Sequence, residues 1–260
     1  KDLADAYPSA KALFDQADES LGYSLSEIMF NGPDEELTRT SRCQPALYLH
    51  GLACLAVLKE KLPTLKPVAA AGLSLGEFTA HAAAGTFDLS TGLSLVAQRG
   101  AFMEDACDAT QGSMAAMIGG DESAVAELAA DCDIDVANYN TVGQLVVSGS
   151  GEGVDKAIAE AKGRGIRMAK KLNVAGAYHS RLMQSAQDKL AEVLAATEID
   201  TASVPVICNF AAREVIGADD IRSMLEQQVT GSVRWTASMQ KLIADGRSAR
   251  PSCSLAWRRA

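Results

Sequence analysis

One serine between two glycines gives this chain its clearest chemistry. The stretch Gly72-Leu73-Ser74-Leu75-Gly76 follows an apolar run, Val68 to Ala71, and leads into a helix-like segment from Glu77. A strand that turns sharply into a helix holds a serine hydroxyl out at the strand's end, and glycines on either side let the crowded turn form. Ser74 is the candidate nucleophile on that pattern. A serine hydroxyl attacks well only when a neighbouring base takes its proton, a task that suits imidazole near neutral pH. Two of the three histidines are poor candidates. His50 lies within an apolar helical stretch and reads as a core or helix-flank residue. His81 is seven residues past Ser74, two helical turns or about 10 Å away, and reads as structural.

The elements that must hold Ser74 follow from periodicity. Asp2 to Ser26 repeats apolar residues every three or four positions, Asp34 is the expected cap of a short helix after Asn31-Gly32-Pro33, and Thr40 to Leu62 is a long apolar helix. Val68 to Ala71 is the strand before Ser74, with a helix ending at Gly85 behind it and a further helix from Leu89 to Met103 that carries Arg99. After Gln111-Gly112 the period changes. Strands at 113–118, 134–138, 144–148 and 167–172, with helices at 122–130 and 153–162, give the β-α-β-β-α-β order of a ferredoxin-like unit. Later elements are a loop at 174–180, a helix at 181–196, a short parallel-type strand at 204–208, and helices at 221–228 and 238–244. The predicted division is a discontinuous large unit, 1–110 with 176–260, and a small inserted unit, 111–175.

Composition narrows the class. Of 260 residues, 48% are hydrophobic and 22% charged, as in an ordinary soluble globular protein. No apolar stretch reaches the roughly 20 residues of a membrane span, and Lys1 opens no signal peptide, so a cytoplasmic location is expected. A net charge of −9 argues against nucleic acid or an anionic membrane as partner. The six cysteines form no C-x-x-C pair and lie near no histidine at ligand spacing, so buried free thiols and no metal site are expected.

Seven segments, in order, carry a family resemblance: SRCQPALYLHG (41–51), GLSLGEFTAH (72–81), AQRGAFME (97–104), GSMAAMIG (112–119), VANYNTVGQLVVSG (136–149), AYHSRLM (177–183) and SVRWTASM (232–239). The chain resembles the malonyl-CoA:acyl-carrier-protein transacylases, and more broadly the acyltransferase domains of fatty-acid and polyketide synthesis. The resemblance implies an α/β fold, an α/β-hydrolase-like large domain with an inserted ferredoxin-like subdomain. It also implies that Ser74 accepts the acyl group, that His179 is its base, and that Arg99 holds the free carboxylate of malonyl. A planar guanidinium pairs bidentately with a carboxylate and stays charged when desolvated, whereas an acetyl group would leave it unpaired. The expected reaction is ping-pong, from malonyl-CoA to the phosphopantetheine thiol of an acyl carrier protein, without a cofactor and with the enzyme as a monomer. The Leu75 amide is the expected oxyanion donor next to the nucleophile.

The sequence departs from the family at four places. The family's Gly-Gln-Gly-x-Gln loop, source of a second oxyanion donor, is not among these residues, and loss of one such donor costs about 10²–10³ in rate, so they are expected to form an impaired enzyme by themselves. The tail RSARPSCSLAWRRA after Gly246 has the look of a shifted reading frame or of misassigned residues, and an intact mass matching the written tail would refute that. Asp245 aligns with the position whose backbone carbonyl orients the histidine. Leu73 replaces a common His, and Tyr178 replaces the Phe usual in malonyl-selective members, neither of which alters the expected choice of malonyl. The densest positive stretch, Lys162 to Lys171, offers Arg164, Arg167, Lys170 and Lys171 as a docking site for an acidic carrier protein, or else is a solvated edge. Two other functions stay open: a serine esterase or thioesterase of α/β-hydrolase type, which would have no use for Arg99, and a degenerate, non-catalytic acyltransferase domain.

Overall fold

The structure, a computed structural model, describes residues 1–247. The tail in question lies outside the described residues, apart from its first position, Arg247. The chain starts as separate helices rather than the one continuous helix its periodicity predicts: α1 (Asp2–Ala6), α2 (Pro8–Leu21) and α3 (Leu25–Asn31). Pro8 has no amide hydrogen to continue α1, so it occupies the first position of α2. Gly22, left-handed at φ 71°, ends α2, and the Ser24 hydroxyl caps α3. A four-residue helix, α4 (Asp34–Leu37), leads to the long α5 (Thr40–Lys61).

Strand β1 (Ala70–Ala71) feeds α6 (Leu75–Ala83), and α7 (Leu89–Ala109) follows with Asp88 as its cap. Helix α7 packs along α5. At their crossing a side chain on Gly100 would lie 2.7 Å from the Thr40 carbonyl oxygen, so only glycine permits this approach. The close crossing brings Arg99 of α7 beside Gln44 of α5. Phe14, Tyr48, Leu49, Phe78, Leu93 and Met103 belong to the core around these helices.

The period change after Gln111 becomes a four-stranded sheet: β2 (Gly112–Ile118), β3 (Asp135–Thr141), β4 (Gln144–Ser150) and β5 (Met168–Lys171), with α8 (Glu122–Asp131) after β2 and α9 (Gly151–Glu160) after β4. All pairings are antiparallel and the order is β3-β4-β2-β5, the arrangement of a split β-α-β unit. Alternation sorts its side chains. Ala115 and Met117 join Val125, Leu128, Val147 and Val154 in a core of their own, whereas Met114 points to the opposite face with Ala137 and Val146.

The chain returns through a 3₁₀ turn at Arg181–Met183 to α10 (Gln184–Ala196), β6 (Val206–Ile207), β7 (Glu214–Val215), α11 (Ala218–Gln227) and α12 (Trp235–Ala244). Strand β6 lies parallel to β1, as its apolar run predicts, while two-residue β7 pairs antiparallel to β6 and has no sequence signal. Before α12, Val233 bridges Asn138 of β3 in parallel; its amide donates to the Ala137 carbonyl at 2.8 Å. That bridge fixes the edge of the small sheet against the segment after α11, next to the loop that carries His179.

Candidate active site

Ser74 stands at the junction of β1 and α6 in a conformation that a side chain rarely adopts, φ 51° and ψ −111°. The two glycines flanking it are not equivalent. A Cβ on Gly72 would lie 1.9 Å from the Gly76 carbonyl oxygen, so Gly72 is obligatory, whereas a Cβ on Gly76 would meet nothing within 4 Å. The expectation that both glycines relieve the crowded turn therefore holds for the first alone. Strain at the turn is held by Asn209, just beyond β6. The Asn209 Oδ1 accepts from the Ser74 amide, and its Nδ2 donates to the Gly72 carbonyl at 2.7 Å. The Leu75 amide, the first of α6, has no hydrogen-bond partner among the described residues and lies at the positive end of the helix.

His179 reaches Ser74 from the loop before α10. Its Nε2 lies 2.8 Å from Ser74 Oγ, and its Nδ1 donates to the Gln228 carbonyl at 2.8 Å. With the proton on Nδ1, the lone pair on Nε2 is free to accept from the serine hydroxyl. The sequence assigned the orienting carbonyl to Asp245, and the structure corrects this. Asp245 is exposed at the end of α12 and pairs with Lys241 at 2.9 Å, while the acceptor belongs to Gln228, just beyond α11. The ordinary imidazole range is also displaced: burial first, and then the charge on Arg99, hold His179 down at about 4.

Arg99 is 1% exposed, and three of its contacts define the site. Its two terminal nitrogens reach Gln44 Oε1 on one side, and Gln228 Oε1 at 2.9 Å and Ser74 Oγ at 3.2 Å on the other. Burial lowers its pKa only to about 10, so it remains a cation. Glu77, in the first turn of α6, is fully buried; its Oε2 accepts from the Asn209 amide at 2.9 Å and from Gln228 Nε2 at 2.8 Å. Gln228 Nε2 donates also to the Ser74 carbonyl at 2.9 Å.

Sequence reasoning missed Gln44, Glu77, Asn209 and Gln228. The first two lie inside matched segments, and a buried polar position on an apolar helix was the available signal. The last two lie in no motif, and only folding brings them in. His81 and His50 stay apart from the nucleophile: His81 is fully buried against Phe87, and His50 is on the exposed side of α5 beside Cys54. Tyr178 spends its hydroxyl on Thr40.

A crevice of about 590 Å³ opens beside the small sheet, with His179, Arg181, Tyr139, Phe210 and Arg234 on its walls. Arg181 ties the His179 loop to the small sheet through Asp133 and Asp135, at 2.7 and 3.2 Å. On the basic run, Arg164 pairs with Asp131 at 2.6 Å and Lys171 with Asp155 at 2.6 Å, while Arg167 and Lys170 form no ion pair among the described residues. No group of three or more potential metal ligands occurs among the described residues, and none of their helices is long and apolar enough to cross a membrane.

The family model for an acyl transferase domain matches residues 1–250. The chain belongs to that family. The malonyl CoA-acyl carrier protein transacylase of Bacillus subtilis is 41% identical over 251 residues, which cover 95% of this chain and 78% of that protein. Among solved structures, this acyl transferase superposes on an acyl carrier protein S-malonyltransferase from Vibrio cholerae with a TM-score of 0.90, at 35% identity, covering 94% of this chain and 81% of that one. It superposes also on a malonyl-transacylase in complex with a type II PKS acyl-carrier protein, with a TM-score of 0.91 at 34% identity over 94% of this chain and 80% of that one. The α/β fold expected from the sequence is the fold of these neighbours.

Proposed function

We propose that this chain transfers a malonyl group from malonyl-CoA to the phosphopantetheine thiol of an acyl carrier protein through an ester on Ser74. The observation that carries the reading is the buried Arg99 guanidinium, 3.2 Å from the nucleophilic oxygen. A buried cation within hydrogen-bond reach of that serine oxygen favours an acyl chain that ends in a carboxylate, and an acetyl group leaves the cation unmatched.

In the first half-reaction, Ser74 Oγ bonds to the thioester carbon as His179 Nε2 takes its proton. The Leu75 amide faces the oxyanion, and the tetrahedral intermediate collapses with loss of coenzyme A, whose thiolate takes the proton from His179. In the second, the carrier's thiol gives its proton to His179 and attacks the ester, and Ser74 leaves with that proton. The crevice beside His179 is the approach for the pantetheine arm. Carrier docking on the basic edge rests on Arg167 and Lys170, since Arg164 and Lys171 already have carboxylate partners. The enzyme acts as a cytoplasmic monomer in fatty-acid biosynthesis and draws on no cofactor beyond its CoA substrate.

An esterase reading leaves the Arg99 contact without a purpose, and a non-catalytic reading leaves the Ser74–His179 hydrogen bond without one. Intact-mass analysis after incubation with malonyl-CoA or acetyl-CoA tests all three. A malonyl adduct that Ser74→Ala abolishes supports the transfer reading. Equal acetyl labelling overturns the role of Arg99, and an adduct that water removes faster than carrier thiol favours a thioesterase.

A further inference from the structure

The buried acid beside the nucleophile belongs to none of the steps above. Glu77 is fully buried one turn from Ser74, and its Oε1 has no hydrogen-bond partner. Such a group is costly: an unpaired carboxylate oxygen in the interior loses its hydration with no return, and an apolar residue of similar volume would fold more cheaply. Burial pushes its carboxyl up to about 7 even with Arg99 pulling the other way.

What the cost secures is seen in its contacts. The Gln228 side chain lies between a group that only donates, the Arg99 guanidinium, and an accepting oxygen, Glu77 Oε2, which also takes the Asn209 main-chain amide. An amide can turn over and exchange its oxygen and nitrogen, but here the turned-over form would set NH₂ against the guanidinium and the oxygen against the carboxylate. One orientation alone satisfies both neighbours. The same glutamine supplies the main-chain acceptor for His179, and the same Glu77 oxygen takes the Asn209 amide, whose side chain brackets the Ser74 turn.

We infer that Glu77 is a positioning residue, which through the placement of its Oε2 holds Gln228 so that Arg99 is aimed at the acyl chain and His179 at the serine. The inference rests on the reading of Arg99 as the holder of the malonyl carboxylate. Transfer of malonyl and acetyl groups by the parent enzyme is therefore measured first, so that a failure of that reading is seen by itself.

The test compares Glu77→Asp with Glu77→Gln, reading the ratio of kcat/KM for malonyl-CoA to that for acetyl-CoA, with thermal unfolding as the check on folding. Asp keeps the charge but draws the acceptor back by one carbon, about 1.5 Å. Gln keeps an oxygen at the same distance and drops the charge. Glu77→Asp is expected to lower the ratio about tenfold, the loss falling on malonyl-CoA, while Glu77→Gln stays within about threefold of the parent. An unchanged ratio in Glu77→Asp overturns the inference, because a purely structural residue would slow both substrates alike. A collapsed ratio in Glu77→Gln overturns it too, with or without a folded Asp variant, because the charge and not the acceptor's place would then be what matters.

Discussion

The first turn of α6 and the turns behind it both bury polar side chains, and they do so in opposite ways. At the front, Ser74, Glu77, Asn209, Gln228, His179 and Arg99 are joined by hydrogen bonds, although Arg99 Nε and Glu77 Oε1 are left without a partner. Farther along the same helix, His81 is just as deeply buried, yet neither ring nitrogen has a partner, and the hydroxyls of Thr86 and Tyr48 are likewise without one. Burial drives His81 down to about 3, so it is a neutral ring packed beside Phe87. His179 is also driven down, but it keeps a fixed proton on Nδ1 and a lone pair aimed at a hydroxyl. Burial makes both histidines neutral, and only the wiring sets the free nitrogen of one of them against a hydroxyl.

The largest expected effect breaks the wired end. Asn209→Ala removes both clamps on the Ser74 turn and leaves the Ser74 amide and the Gly72 carbonyl without partners, a cost of about 1–3 kcal/mol for each buried group. Turnover of malonyl-CoA should fall about 100-fold or more, since a displacement of order 1 Å at a nucleophile costs that much. A folded Asn209→Ala protein that turns over within a few-fold of the parent would show that the strain at φ 51° needs no clamp.

Next in size is the pH response of the same network. Free enzyme holds His179 at about 4, partly through Arg99, so kcat/KM for malonyl-CoA should keep its plateau well below pH 6.5 and fall near pH 4. Bound malonyl carboxylate offsets the Arg99 charge, so the acid limb of kcat should lie at higher pH than that of kcat/KM. Coincident limbs would mean that Arg99 and the acyl carboxylate do not meet.

The smallest effect belongs to the unwired end. His81→Leu should leave turnover within about twofold, because His81 touches neither Ser74 nor His179. Its mark is on stability. The unfolded chain takes a proton on His81 near pH 6.5 and the folded chain only near 3, so between those values the unfolded state binds more protons and stability falls as the pH is lowered. Denaturant unfolding from pH 7 to 4 should therefore show a shallower loss in His81→Leu than in the parent. An identical slope would show that His81 has no part in the acid sensitivity.

Much of the fold is legible in the residues. The switch from helical to alternating period after Gln111 predicts the β-α-β-β-α-β order, and the structure has those six elements with ends shifted by a few residues. Pro8 divides the first helix, because a proline inside an apolar periodicity leaves that periodicity intact while removing the amide the helix needs. Two-residue β7 escapes because Glu214-Val215 lies in no apolar run of the kind that marks the equally short β1 and β6.

The sequence by itself singled out Ser74 as the candidate nucleophile, since Gly72-x-Ser74 is a local turn whose sterics are written in adjacent residues, and it marked His179 and Arg99 through segments that match a family. Tertiary structure alone decided who orients them. Gln228 lies 154 positions from Ser74 and Asn209 lies 135 away. Their roles depend on hydrogen bonds whose geometry exists only after β6 has paired with β1 and α11 has packed against α10. Asp245 had the better claim by alignment, but a carbonyl serves a histidine by distance and direction, and folding left that position exposed at the end of α12.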